Sequence, residues 1–181
     1  IAFNSWKNVW GFEEIIIVDW SSSSPVIELV LRETKTFPSP QKIKVVRVEG
    51  FDNKWILTWA FNLGISLSTL SAVYKIDADI VLRDDFVIRN PVDKGTFVAG
   101  NWKNARSDVY GEIHLNGQCG MLLSDFEEIG GYNENITTYG WDDDDLYLRL
   151  KKKGLSRKDI DVDTCHHIFT PEDQRIKFQT E

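Results

Sequence analysis

The chain has 181 residues and a mass of 20.9 kDa, with 21 basic against 28 acidic side chains, a formal charge of −7 and a pI near 5.0, a balance that argues against a nucleic-acid partner. Its 42% hydrophobic, 27% charged and 12% aromatic residues are the composition of a soluble globular domain, and no apolar run reaches the ~20 residues that cross a bilayer. At this length one domain buries roughly 70% of its unfolded surface, so Cys119 and Cys165 are not needed as a staple and are too few for a cysteine-rich zinc site.

Glu14 to Asp19 is a β-branched run, the pattern of a strand covered on both faces in a parallel sheet. After a turn of serines, Ser24 stands as an N-cap before Pro25 at the first helical position, and an apolar helix follows to about Arg32. Lys42 to Val48 alternates with period two and predicts a strand. Trp55, Ile56, Trp59, Ala60 and Leu63 recur at helical spacing up to Gly64, with both tryptophans expected in the core. A strand beginning at Val73 runs into carboxylates at its end, and Thr96 to Gly100 predicts another. Such alternation indicates an α/β sheet with a ligand crevice at the carboxyl ends of its strands.

Further on, Ser124-Asp125-Phe126-Glu127 has capping-box spacing and predicts a short helix closed by Gly130-Gly131. Asp142 to Lys153 is the clearest helix, acidic in its first turn, basic in its last and stopped by Gly154. Asp161 to Phe169 reads as a final strand. No internal repeat or interdomain linker interrupts this order. Ile1 stands first and no signal-peptide pattern follows it, so the chain reads as an excerpt of something longer, with cytosolic and lumenal compartments both open.

Asp77-Ala78-Asp79 sets two carboxylates two residues apart, on one face of an extended segment, where a turn lets both approach one cation. Aspartates also end strands for purely structural reasons, so the company they keep decides. That company is Asp142-Asp143-Asp144-Asp145. Acids at a helix start complement the dipole, but four adjacent carboxylates repel, which points to a use beyond capping. Asp142 and Asp143 lie four and three residues before Leu146 on the stripe expected to be buried, while Asp144 and Asp145 flank it. A carboxylate at the rim of a core is partly desolvated and becomes a better proton acceptor, which makes Asp143 the candidate general base. Trp141 beside it is either a platform for a sugar ring or a packing residue. His166 and His167 point to opposite faces of a strand, so only one can join the two aspartates as a ligand for Mn²⁺ or a similar ion.

Together these motifs resemble the GT-A glycosyltransferases, in the inverting family-2-like group with a galactosyltransferase-type acidic motif. The ordered markers are Ile15 to Ser21, Ala60-Phe61-Asn62-Leu63-Gly64, Lys75 to Asp79, Asn116-Gly117-Gln118-Cys119-Gly120, Gly131-Tyr132-Asn133-Glu134, Tyr139 to Leu146, and His167 with Arg175. The resemblance implies an α/β GT-A fold, its central sheet mixed but mostly parallel and flanked by helices. It makes residues 1–181 a single domain, with a nucleotide-sugar half over about 1–100 and an acceptor half over about 101–181. The family's first strand would precede a helix placed near Ser5-Trp6, and so would fall before residue 1.

By the same resemblance Asp19, Asn62, Asp77 and Ala78 would bind the donor, a nucleotide sugar of the UDP-hexose kind. Asp77, Asp79 and His167 would hold Mn²⁺ or Mg²⁺. Asn116, Gly117, Trp141 and Asp142 would bind the acceptor, a glycan or other hydroxyl compound, with Asp143 as base. Trp59 and Phe61 stand where the family often carries arginines, and Thr170 where it often has a histidine. Other readings are a sugar nucleotidyltransferase, which would want a glycine-rich basic loop near the first strand, and a non-catalytic carbohydrate- or Ca²⁺-binding module on the same fold.

Overall fold

The structure is a computed structural model that describes residues 1–36, 39–51, 54–104, 107–108, 111–112 and 115–168. Arg175, Thr170 and Phe169 lie outside them. In chain order the elements are α1 (Ala2–Trp6), β1 (Glu14–Trp20), α2 (Val26–Thr36), β2 (Lys42–Val48), α3 (Leu57–Ser66), β3 (Ala72–Lys75), β4 (Ile80–Leu82), α4 (Phe86–Arg89) and β5 (Thr96–Ala99). The two-residue strands β6 (Ser107–Asp108) and β7 (Gly111–Glu112) follow, then β8 (Cys119–Leu122), α5 (Leu123–Glu128), α6 (Asp142–Lys152), β9 (Ser156–Asp159) and β10 (Cys165–His167).

The central sheet has the order β3-β8-β5-β9. β8 runs antiparallel to both of its neighbours, and β5 runs parallel to β9. β1 pairs in parallel with β2, Ile17 opposite Val45, while β10 pairs antiparallel with β4, His167 opposite Ile80. The sheet system is therefore mixed, as expected, but its central sheet is predominantly antiparallel. The reason is β8, Cys119-Gly120-Met121-Leu122, which carries no alternating signal in the sequence and inserts between β3 and β5.

Strand alternation divides the core into two layers. Phe97 and Ala99 of β5, Val73 of β3 and Met121 of β8 pack against Phe126 of α5 and Leu146, Tyr147 and Leu150 of α6. On the opposite face Val98 joins Ile80 and Leu82 of β4, Phe86 of α4 and Cys165 of β10. Full burial of side chains such as Phe97, Leu146 and Leu150 contributes about 1.5–3 kcal/mol each. α6 runs as its sequence requires: Leu146 and Leu150 fall on one buried stripe, Arg149 reaches back to Asp145 at 2.7 Å, and Gly154 at φ 104° terminates the chain direction.

Several local expectations give way. Ser24 does not cap α2; the Asp19 carboxylate does, accepting from the Val26 N–H at 3.0 Å. α2 extends to Thr36 and buries only Val30, leaving Ile27, Leu29 and Leu31 exposed. β1 is half-buried along most of its length rather than covered on both faces. α5 starts at Leu123 with no side-chain cap, so Ser124 and Glu127 do not form a capping box.

Trp55 and Trp59 are not core residues, being 43% and 37% exposed. Ile56, Ala60 and Ile65 take the buried side of α3, which leaves the indoles on the surface. There Trp55 packs edge-on against Trp20 at 5.7 Å and Trp59 against Phe51 at 6.1 Å. Among the described residues no helix is long and apolar enough to cross a membrane.

Candidate functional site

β3 ends in Lys75 and hands the chain to a turn at Asp77-Ala78-Asp79, closed by the Ile80 N–H donating to the Asp77 carbonyl at 3.1 Å. Lys75 and Asp77, two residues apart, share a face, and the ammonium meets the carboxylate at 2.8 Å. Gln118, fully buried, grips Asp77 twice: its side-chain carbonyl accepts from the Asp77 N–H at 2.8 Å and its amide donates to Oδ2 at 2.7 Å. Burial alone would raise the Asp77 pKa, but Lys75 and Gln118 outweigh it and hold the carboxyl below its ordinary value.

Asp79 faces a different neighbour. β10 lies antiparallel beside β4, and the Ile168 N–H donates to the Asp79 carbonyl at 2.7 Å. This register carries His167 Nε2 to 3.1 Å from Asp79 Oδ2, with His167 buried and His166 exposed. Among the described residues no group of three His, Cys, Asp or Glu side chains converges on a cation position. Of the expected trio, Asp79 and His167 are in direct contact, while Asp77 of the same turn is bound by Lys75 at 2.8 Å. A carboxylate with an imidazole is nonetheless a donor set suited to Mn²⁺ when other ligands complete the shell.

The start of α6 supplies the other side. Trp141 sits at its N-cap with φ 69° and is 79% exposed. Asp142 is buried, and its Oδ2 has no hydrogen-bond partner. Asp143 accepts from the Tyr132 hydroxyl at 3.2 Å and lies 3.8 Å from Lys75 Nζ. Its side chain is 23% exposed. Burial, reinforced by the Asp142 and Asp77 charges and opposed by Lys75, pushes the Asp143 pKa from 3.8 up to about 6. Such a carboxylate can take a proton from a hydroxyl near neutral pH.

Gly117 lets the two sides meet. A Cβ built there would lie 2.5 Å from Asp77 Oδ2, 2.8 Å from Lys75 Nζ and 3.4 Å from Asp143 Oδ2, so any side chain would displace one of the three. Asn116 is exposed beside it, its carbonyl accepting from the Tyr147 hydroxyl at 2.8 Å. Ala78 is exposed in the turn.

Two expected donor residues carry internal contacts. Asp19 is buried and accepts from Ser22 N–H at 3.2 Å, Val26 N–H at 3.0 Å and Arg47 at 2.7 Å. Asn62 joins α3 to the segment around Tyr132, accepting from the Tyr132 N–H at 2.8 Å and donating to Glu134 Oε1 at 2.9 Å. Sequence reasoning missed Lys75, Gln118 and Tyr132 as site residues. For Lys75 the signal was present: period two places it on the Asp77 face.

The chain has the GT-A fold of nucleotide-sugar glycosyltransferases. Residues 111–173 match the family described as the N-terminal domain of galactosyltransferase. A mutant Drosophila β1,4-galactosyltransferase 7 solved with manganese, UDP-Gal and xylobiose is 15% identical, over 93% of this chain and 76% of that one, at TM-score 0.62. GalNAc-T7 with UDP, GalNAc and Mn²⁺ is 15% identical over 82% of this chain and 36% of that one, at TM-score 0.62. S. aureus TarS is 12% identical over 97% and 57% respectively, at TM-score 0.65. No curated protein sequence matches the chain.

Proposed function

We propose that the chain is a metal-dependent inverting glycosyltransferase that moves a hexose from a nucleotide diphosphate sugar, a UDP-hexose, to a hydroxyl of a glycan or similar acceptor. The observation that carries this reading is Asp143, a carboxylate with its pKa raised to about 6, set beside the exposed Trp141 and across Gly117 from the turn that holds Asp77. The match of residues 111–173 to a galactosyltransferase family supports it.

In this reading Asp143 accepts the acceptor's hydroxyl proton as that oxygen attacks the anomeric carbon. The bond to the diphosphate breaks on the opposite face, its electron pair leaves with the nucleotide, and the anomeric configuration inverts. Trp141 offers its face to the acceptor ring beside Asn116 and Gly117, while Asp142, buried with Oδ2 unpartnered, lies directly behind it and would meet a sugar hydroxyl only if Trp141 moved aside. Asp79 and His167 would hold Mn²⁺ or Mg²⁺, which when bound neutralises charge on the departing diphosphate. Asp77, locked by Lys75 and Gln118, shapes the turn that presents Asp79. Residues about 1–100 then serve the donor and about 101–181 the acceptor, His167 crossing back to the donor side.

The test is transfer from UDP-Gal to xylobiose with Mn²⁺, the ligands bound by the Drosophila neighbour, followed by NMR of the product anomer. Transfer with inversion, retained UDP binding but no transfer in Asp143→Asn, is the expected result. Transfer with retention of configuration, or native-rate transfer by Asp143→Asn, would overturn the mechanism.

A further inference from the structure

Lys75 is a charged side chain that touches both the donor turn and the candidate base. It is buried, 5% exposed as a side chain, at the last position of β3. Its ammonium lies 2.8 Å from Asp77 Oδ1, 3.8 Å from Asp143 Oδ1 and 2.7 Å from the Gly117 carbonyl, which accepts from it, and the Phe61 ring covers its remaining side at 4.2 Å. A buried ammonium is costly unless its charge and its protons are met. Here both are met: two carboxylates supply the charge, and a carbonyl and a ring face fill the other directions.

Those two carboxylates belong to elements far apart in sequence. Asp77 sits in the β3–β4 turn and Asp143 in the first turn of α6, and no backbone ladder joins these segments. Both face the space left by Gly117, where without a cation between them they would repel in a partly dry site. The loop carrying Gly117 is held by the same ammonium. Gln118 holds Asp77 and Tyr132 holds Asp143 separately; Lys75 is the contact that ties the donor turn to the base directly.

We propose that Lys75 is a positioning residue for the transfer reaction, a buried cationic strut that fixes Asp143 at its working distance from the donor turn by bridging Asp77, Asp143 and the Gly117 carbonyl. At 5% exposure it is closed off from solvent, so it would act through Asp143 and not on a substrate. Its contribution is to hold the proton acceptor where a misplacement of about 1 Å would cost up to about a hundredfold in rate. The inference rests on the transferase reading for its functional half. Its structural half, the three-way contact, stands apart from turnover.

The experiment follows that division. Lys75→Met keeps length and apolar stem and removes the charge; Lys75→Arg keeps the charge. With Mn²⁺, UDP-Gal and xylobiose, Lys75→Met is expected to lose at least tenfold in kcat while the acceptor KM stays within threefold, and Lys75→Arg to recover a measurable part of that loss. An unchanged kcat in Lys75→Met, a loss confined to KM, or a Lys75→Arg protein no better than Lys75→Met would overturn the proposal. Urea unfolding of Lys75→Met, Asp143→Asn and the double variant gives a readout that needs no turnover. The double variant should be less destabilised than the sum of the singles. Strict additivity would also overturn it by leaving Lys75 without a coupling to the base; should Lys75→Met not fold, the same cycle with Lys75→Gln gives the coupling, and strict additivity there overturns the proposal. If wild type transfers no sugar while the coupling is present, the transferase reading fails and the contact survives.

Discussion

Asp143 sets opposite demands on activity and stability. Its pKa, raised from 3.8 to about 6, means the folded protein holds the proton more tightly than the unfolded chain does. The associated stabilisation is complete below the unfolded value of about 4 and is lost as pH rises through about 6. A base, however, works only once deprotonated. Transfer should therefore rise with pH to a plateau above about 6, and the stability of Asp143→Asn relative to wild type should grow over the same interval; a pH–rate profile and urea unfolding at pH 4 and pH 8 check both. Trp141 shows a second conflict of this kind. An exposed tryptophan in the left-handed region at φ 69° carries about 1–2 kcal/mol of strain that glycine avoids. Trp141→Gly should keep or raise the melting temperature while weakening acceptor binding, measured as an increase in acceptor KM with UDP affinity unchanged.

The elements were legible in the sequence where one period dominated. β1, β2, β5 and α6 fall where alternation, β-branched runs and helix charge place them, because each is defined by its own side chains. β8 and β9 were not, since Cys119-Gly120-Met121-Leu122 and Ser156-Arg157-Lys158-Asp159 have no periodic pattern and become strands only through their neighbours. The site followed the same division. Asp143 and the Asp77–Asp79 turn could be read from spacing within one element, whereas the Asp79–His167 pair depends on the β4–β10 register, and the Lys75–Asp143 approach on packing of α6 against the sheet. Gly100 shows how tightly that packing is set. A Cβ there would stand 1.5 Å from the Leu115 carbonyl oxygen, and the Gly100 N–H donates to the Gln118 carbonyl at 2.8 Å. Gly100→Ala must push this strand connection away, costing about 1–3 kcal/mol or more. Because Gln118 also holds Asp77, the variant should lose UDP affinity along with stability, seen as a lower urea midpoint and a weaker UDP titration.

At the scale of the molecule, a chain of net charge −7 places its carboxylates around the position proposed for an anionic donor. Only a cation makes that arrangement favourable. Lys75 balances Asp77 and Asp143 from within, and in the proposed reading the Asp79–His167 pair would balance the donor through Mn²⁺. The same carboxylates set the acid limit of the fold. Asp19 is buried, but hydrogen bonds from Ser22 and Val26 and the Arg47 guanidinium outweigh that burial and lower its pKa, as Lys75 and Gln118 do for Asp77. A lowered carboxyl stabilises above its unfolded pKa and loses that contribution as pH falls through the folded value, so thermal stability should drop below about pH 4. The measurement that tests the central claim most directly is calorimetric titration of UDP into wild type, Asp79→Ala and His167→Ala, each checked for folding by circular dichroism, with and without Mn²⁺. The account predicts UDP binding that requires Mn²⁺ in wild type and is lost in both variants. UDP binding that ignores Mn²⁺, or that survives intact in the two folded variants, would contradict it.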